Sequence, residues 1–307
     1  MMTFNNGNIE LSTSKDKYAN IIYLEEGGEF ELQYLNPLKP SNKGASSNVF
    51  VLIDPSKETE DRVIKICKTP LSYTDTKSKG KISRFKREIR AFNLVIRNKI
   101  PGVIQFYGSG EIEIANYKFL YIVLEKAECD LADFLKMSKF NFTINQRLNF
   151  CSNIVNNFEK LHQIGIYHRD VKHDNIFCIE GEFKIGDLGL VTFRDRDHSM
   201  DYDDEKIGPF GWLSPEATNK MLSKNNNTYR FDCIIDDKSD VFQLGKLFWY
   251  IFQGNLPIGQ LKIDDCKFND VDIYNIIELM LQHNKERRPA IAQIQSDLLP
   301  IKRRLLI

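Results

Sequence analysis

Between residues 168 and 189 the chain gathers side chains suited to one kind of chemistry. The run His168-Arg169-Asp170-Val171-Lys172-His173-Asp174-Asn175 follows a long amphipathic segment and precedes the apolar run IFCI, which puts it on a loop. Asp187-Leu188-Gly189 comes next, introduced by the short strand-like FKIG. Asn175 and Asp187 offer hard oxygen donors of the kind that hold a divalent cation. Asp170 is a carboxylate able to take the proton of an attacking hydroxyl, and Lys172 sets a positive charge near it. A metal to neutralise a triphosphate, a base and a cation are what phosphoryl transfer asks of a protein. A lone D-x-x-x-x-N is far more often a pair of turn formers. Here His168 stands before it, and D-x-G and Ser214-Pro215-Glu216 follow in order.

Two kinds of chain must position these groups. Up to about residue 80, IIYL, EGGEFELQYL, NVFVLI and RVIKIC read as short strands separated by EEGG, NPLKPSNKGASS and DPSKETED, so an antiparallel sheet is expected. SRFKREIRAFNLVIR places Phe85, Ile89, Phe92 and Ile96 at helical spacing, and VIQFYGSGEIEI and YKFLYIVLE add two further strands. After Glu125 the pattern turns helical. DLADFLKMS is followed by TINQRLNFCSNIVNNFEKLHQIG, where Thr143 and Gln146 form a capping-box signature. A loop-rich stretch over 165–239, dense in Asp, His, Gly and Asn, then leads to the helix DVFQLGKLFWYIFQG and to two closing helices around Arg287-Arg288-Pro289. The expected class is α+β. The expected domains are an N-terminal extension (1–28), a small sheet-and-helix lobe (29–125) and a mainly helical lobe (126–307).

With its motifs in this order over roughly residues 30–300, the sequence resembles the protein kinase superfamily, of the serine/threonine type. The resemblance implies a two-lobed fold with ATP and Mg²⁺ between the lobes, Asp170 and Lys172 as catalytic groups, and Asn175 and Asp187 as metal ligands. Val63-Ile64-Lys65 matches the V-A-I-K strand, so Lys65 is expected to reach the nucleotide phosphates with Glu88 as its ion-pair partner. Leu124, Glu125 and Ala127 are assigned to the hinge, and Asp130 and Phe177 to the same nucleotide site. Glu216 is expected to pair with Arg288. Asp240 is expected to cap its helix and to hold the backbone at His168 and Arg169.

The chain departs from the family pattern in places. Counting back from Val49 puts Asn42, Gly44 and Ser47 at the three glycine positions of the phosphate loop, so one glycine remains. Asn tolerates left-handed backbone and Ser is small, so close approach to phosphates survives in reduced form. That degeneracy makes a pseudokinase, acting as a nucleotide-binding or scaffolding module, the alternative function. Gly208-Pro209-Phe210-Gly211-Trp212 looks like tyrosine kinases, whereas Lys172 argues for serine/threonine specificity, so dual specificity stays open. The aminoglycoside or choline type of small-molecule kinase lacks the closure carried by Ser214 to Glu216 and Arg288-Pro289. The step from Glu216 to Asp240, longer than usual by about a dozen residues and containing Asn225 to Asn227, reads as a surface insertion. Beside Arg169, the acidic segment with Asp201, Asp203, Asp204 and Glu205 is expected to supply its partner in place of a phosphate on Ser199 or Tyr202.

Composition sets the outer limits. In 307 residues, 42 Lys+Arg balance 42 Asp+Glu, which removes any general electrostatic reason to bind nucleic acid or an anionic membrane. No apolar run of about 18 residues occurs and no signal-type or lipidation segment is seen. The six cysteines form no C-x-x-C pair and read as buried free thiols of a reducing compartment. The expectation is a cytoplasmic protein whose partner is a protein substrate, with no nucleic acid and no membrane. Oligomeric state is not legible.

Overall fold

The computed structural model describes residues 1–14, 16, 18–25, 27–36, 47–56, 61–194, 207–222 and 231–305. Contacts divide the chain into two compact units, one of Met1–Ile96 with Ile104–Lys126, the other of Arg97–Val103 with Ala127–Ile307.

The first unit is a sheet with one long helix. Strands β1 (Thr3–Asn5) and β2 (Asn8–Glu10) pair as a hairpin, and β3 (Ile21–Tyr23), β4 (Glu29–Tyr34), β5 (Ser47–Ile53), β6 (Arg62–Cys67), β7 (Phe106–Ile114) and β8 (Tyr117–Glu125) form an antiparallel sheet in the order β3-β4-β5-β6-β8-β7. Directly paired residues share a face and alternate residues repeat it. Thus Phe50, Leu52, Ile64 and Ile66 lie together on one face, in a core with Ile9, Ile22, Leu32, Phe119 and Tyr121. Helix α1 spans Thr76–Arg97 and buries Phe85, Glu88, Ala91, Phe92 and Val95. It starts before the Ser83 read from the pattern, because Lys and Ser sustain a helix without adding to an apolar stripe. Ile96 is exposed and Ile89 half-buried, so Val95 takes the place expected of Ile96.

The second unit is mainly helical: α2 (Leu131–Met137), α3 (Ile144–Gln163), α4 (Pro215–Leu222), α5 (Asp237–Gln253), α6 (Val271–Met280) and α7 (Ile291–Arg304). Between them lie β9 (Cys129–Asp130), β10 (Ile166–Tyr167), β11 (Ile176–Ile179), β12 (Glu182–Ile185) and β13 (Thr192–Phe193). The expected capping box starts α3: Thr143 accepts from Gln146 N at 3.2 Å and Gln146 returns an acceptor to Thr143 N at 2.8 Å. Helix α5 is buried around its whole circumference from Ser239 to Phe252, the mark of a core helix. Its cap is Asp236, whose side chain accepts from Lys238 N. This corrects the expectation that Asp240 is the cap. Asp240 lies one turn inside, and its carboxylate is used elsewhere. Of the six cysteines, Cys67, Cys151 and Cys178 are buried and the other three partly so, all as free thiols. The arrangement is the α+β one read from the sequence.

Candidate active site

In the second unit the loop after β10 is held from below by α5. Asp240 accepts from His168 N through Oδ2 and from Arg169 N through Oδ1, both at 2.7 Å, and its Oδ2 also meets His162 Nε2 at 2.9 Å. Three residues on, and so on the same helical face, Gln243 accepts from Val171 N at 2.9 Å and donates to Arg169 O at 3.3 Å. Arg169 is fixed with φ 63°, a left-handed backbone that an arginine does not choose unaided. Its Nε donates to Leu190 O at 2.7 Å. His168 Nε2 meets Gly186 O at 3.0 Å while Nδ1 accepts from Asp170 N at 3.2 Å, so the ring hydrogen sits on Nε2.

The loop therefore delivers Asp170, 6% exposed, in one orientation. Its Oδ2 accepts from Asn175 Nδ2 at 2.8 Å and lies 3.5 Å from Lys172 Nζ. Asn175 Nδ2 also donates to Asp170 O at 2.8 Å, which turns the amide nitrogen inward and leaves Oδ1 as the donor atom for a cation. Burial pushes the Asp170 carboxyl up, and the charge of Asp187 adds to this against the pull of Lys172 and the Asn175 hydrogen bond. A carboxylate so raised is a better proton acceptor near neutral pH.

Asp187 is brought to Asn175 by a hairpin. β11 and β12 pair with Ile176 opposite Ile185, and Glu180 (φ 51°) and Gly181 (φ 79°) make the two-residue left-handed turn that such a hairpin needs. Gly186 N then donates to Asn175 O at 2.9 Å, so residue 187 follows directly beside residue 175. Among the described residues there is no cluster of three or more His, Cys, Asp or Glu able to hold a metal. An amide oxygen and a carboxylate suit a Mg²⁺-like ion that takes its remaining ligands from phosphate and water.

In the first unit Lys65 Nζ and Glu88 Oε1 are 2.7 Å apart, with the side chains 13% and 2% exposed. β6 pairs Lys65 with Val49 on one side and Ile122 on the other, and Val63 with Leu124. Val49, Val63, Lys65 and Leu124 consequently share one face of the sheet, with Ser47 at the buried start of β5 on that face. Glu125 Oε2 accepts from Gln105 N at 3.0 Å. In the second unit Ala127 is half-buried, and Asp130 pairs with Phe177 across β9 and β11. Asp130 also caps α2, accepting from Asp133 N at 2.8 Å. Asn42 and Gly44 lie outside the described residues, as do Ser199, Tyr202, the acidic segment beside them and Asn225 to Asn227.

The expected Glu216–Arg288 pair is bidentate and buried, at 2.8 and 2.9 Å. Burial alone would raise the Glu216 carboxyl, but hydrogen bonds from Arg288 and Ser239 outweigh it and hold the group below its ordinary range. Gln243 was not singled out in the sequence. The signal was available, since it lies one helical turn from Asp240.

The match to the family model for the protein kinase domain runs over residues 43–306, and the chain belongs to that family. It is similar to the dual specificity protein kinase TTK of Mus musculus, 24% identical over 274 residues (84% of this chain, 30% of that protein). It is also similar to the serine/threonine-protein kinase Wnk of Drosophila melanogaster, 27% over 230 residues (70% and 9%), and to mph1 of Schizosaccharomyces pombe, 25% over 222 residues (72% and 31%). The aligned stretch is less than a third of each of these relatives. No helix among the described residues is long and apolar enough to cross a membrane.

Proposed function

We propose that the chain is an active protein kinase that transfers the γ-phosphoryl group of ATP to serine and threonine hydroxyls of a protein substrate. The observation that carries this reading is the buried Asp170 carboxylate, oriented by Asn175 and flanked by Lys172. A pseudokinase would have no need to keep a base desolvated, hydrogen-bonded and beside a cation. In the reaction the substrate oxygen forms a bond to the γ-phosphorus, the bond to the β–γ bridging oxygen breaks, and ADP leaves. Asp170 orients the hydroxyl and accepts its proton, and Lys172 faces the charge that develops on the moving group. Asn175 Oδ1 and Asp187 would hold a divalent cation, which supplies positive charge to the phosphate oxygens. Lys65, aligned by Glu88, is the residue for the α- and β-phosphates, and Val49, Val63 and Leu124 line the nucleotide face of their sheet. Ala127, Asp130 and Phe177 complete the assignment on the other unit.

Dual specificity is the second reading, favoured by the similarity to the mouse dual specificity protein kinase TTK and by Pro209 and Trp212. The test uses labelled ATP, Mg²⁺ and a mixed protein panel, with phospho-amino-acid analysis of the products. Label on serine and threonine is expected, and Asp170→Asn is expected to slow transfer by at least about a hundredfold, the scale of a lost general base. Equal rates for parent and variant would overturn the assignment of Asp170.

A further inference from the structure

Residues 3–10 lie before the stretch that matches the family, yet they are built into the first unit. β1 and β2 turn through Asn6 (φ 49°) and Gly7 (φ 82°), the Asn-Gly pair that a two-residue hairpin favours. The hairpin is anchored by apolar contact. Ile9 is fully buried in the sheet core, and the Phe4 ring packs edge-on to Phe119 at 4.9 Å and tilted to Tyr117 at 5.2 Å.

Its polar anchor is Asn48 on β5, 0% exposed. Asn48 Oδ1 accepts from Ile9 N at 3.3 Å and Nδ2 donates to Gly7 O at 3.1 Å, so one carboxamide bonds two backbone groups of the hairpin. Asn48 sits on the face of Phe50, Leu52, Ile64 and Ile66, directly opposite Ile66. Its chain neighbours Ser47 and Val49 sit on the other face, where Val49 pairs with Lys65. An apolar side chain would pack among those neighbours but would take both of these hydrogen bonds from the hairpin, at the usual cost of a buried bond lost on one side. An amide at this one position makes sense as a fastening between the hairpin and the strand.

We propose that Asn48 is a positioning residue, which clamps the N-terminal hairpin against the back of β5 and β6 and thereby holds Ser47, Val49 and Lys65 for the nucleotide. The inference rests on the kinase reading above. Two variants of the full chain attack the clamp from opposite sides: Asn48→Ala removes the amide, and Gly7→Val forbids the left-handed turn residue. A side chain at Gly7 meets only ordinary contacts with Lys68, so the effect there comes from the backbone.

Each variant is expected to weaken Mg·ADP binding in calorimetry by about fivefold to tenfold, with the KM for ATP rising in step and kcat within about twofold of the parent. Because both break one device, the double variant is expected to bind no more weakly than the weaker single. Affinities within about twofold of the parent, or single effects that multiply in the double variant, would overturn the clamp while leaving the kinase reading intact. Failure of the parent chain itself to bind Mg·ADP would instead overturn the kinase reading and this inference with it. If Asn48→Ala does not fold, Gly7→Val alone decides, through the same split between KM and kcat.

Discussion

The two units hold their functional side chains by different means. In the second, the loop of Asp170 has little regular structure of its own, and its backbone is fastened by two side chains of a buried helix, Asp240 and Gln243. In the first, Lys65 is placed by strand alternation and register, and one ion pair to Glu88 completes the arrangement. A loop fastened by buried polar bonds fails when one side chain is lost, because several backbone groups lose their partners together. A sheet shares its constraint over many backbone bonds, so it tolerates the loss of one side chain better.

This contrast can be broken by experiment. The largest effect on stability is expected from Asp240→Ala, which strips the acceptor from His168 N, Arg169 N and His162: about 3 to 5 kcal/mol lost in urea unfolding, with phosphoryl transfer abolished. A loss under about 1 kcal/mol would show that the loop is not held from α5. Lys65→Met comes next. It is expected to abolish transfer and to cost about 1 to 3 kcal/mol, because Glu88 is buried while the lysine end of the pair still touches solvent. A smaller effect, about 1 to 2 kcal/mol, is expected from Gln243→Leu, which preserves volume and removes two buried hydrogen bonds. Its signature is a reduced kcat with the KM for ATP unchanged, measured in steady-state assays.

The smallest expected effect is a pH dependence from Glu216. Its carboxyl lies below the ordinary 4.5 in the folded chain, so the unfolded chain binds more protons at mildly acidic pH. The stability this contributes is fully present above that ordinary value and is lost as pH falls through the folded one. Melting temperature is therefore expected to fall on acidification below about 4.5, and to fall less steeply in Glu216→Gln. Identical slopes in parent and variant would remove Glu216 from the acid response.

Much of the molecule was legible before any coordinates. The capping box at Thr143 and the polar run around Asp170 follow from residue types at characteristic spacing, whereas the Lys65–Glu88 and Glu216–Arg288 pairs are what the resemblance to protein kinases implies. The helix of Glu88 was legible in its periodic core and not at its start, where Thr76 to Lys81 carry no apolar stripe. The Asn6-Gly7 turn signal was there to be read, but nothing local tied it to Asn48.

What the sequence alone determined is the inventory: a loop aspartate, two metal-suited oxygen donors, a strand lysine and a helix glutamate, in family order. Tertiary structure decided which helix residue caps and which further side chains, such as Gln243, hold them. Asp240 reads as a helix cap because a cap and an interior acid look alike along the chain, and the difference arises from which partners the fold brings to it. Asp236 takes the cap, while Asp240 holds the loop backbone at His168 and Arg169 as the resemblance implies, and the fold adds His162 as a third partner. Asn48 likewise reads as one more polar residue where a strand begins, and becomes a fastening only when a distant hairpin brings Ile9 N and Gly7 O to its amide. Hydrogen bonds between residues far apart in sequence leave no periodic trace, so burial and partner geometry settle them.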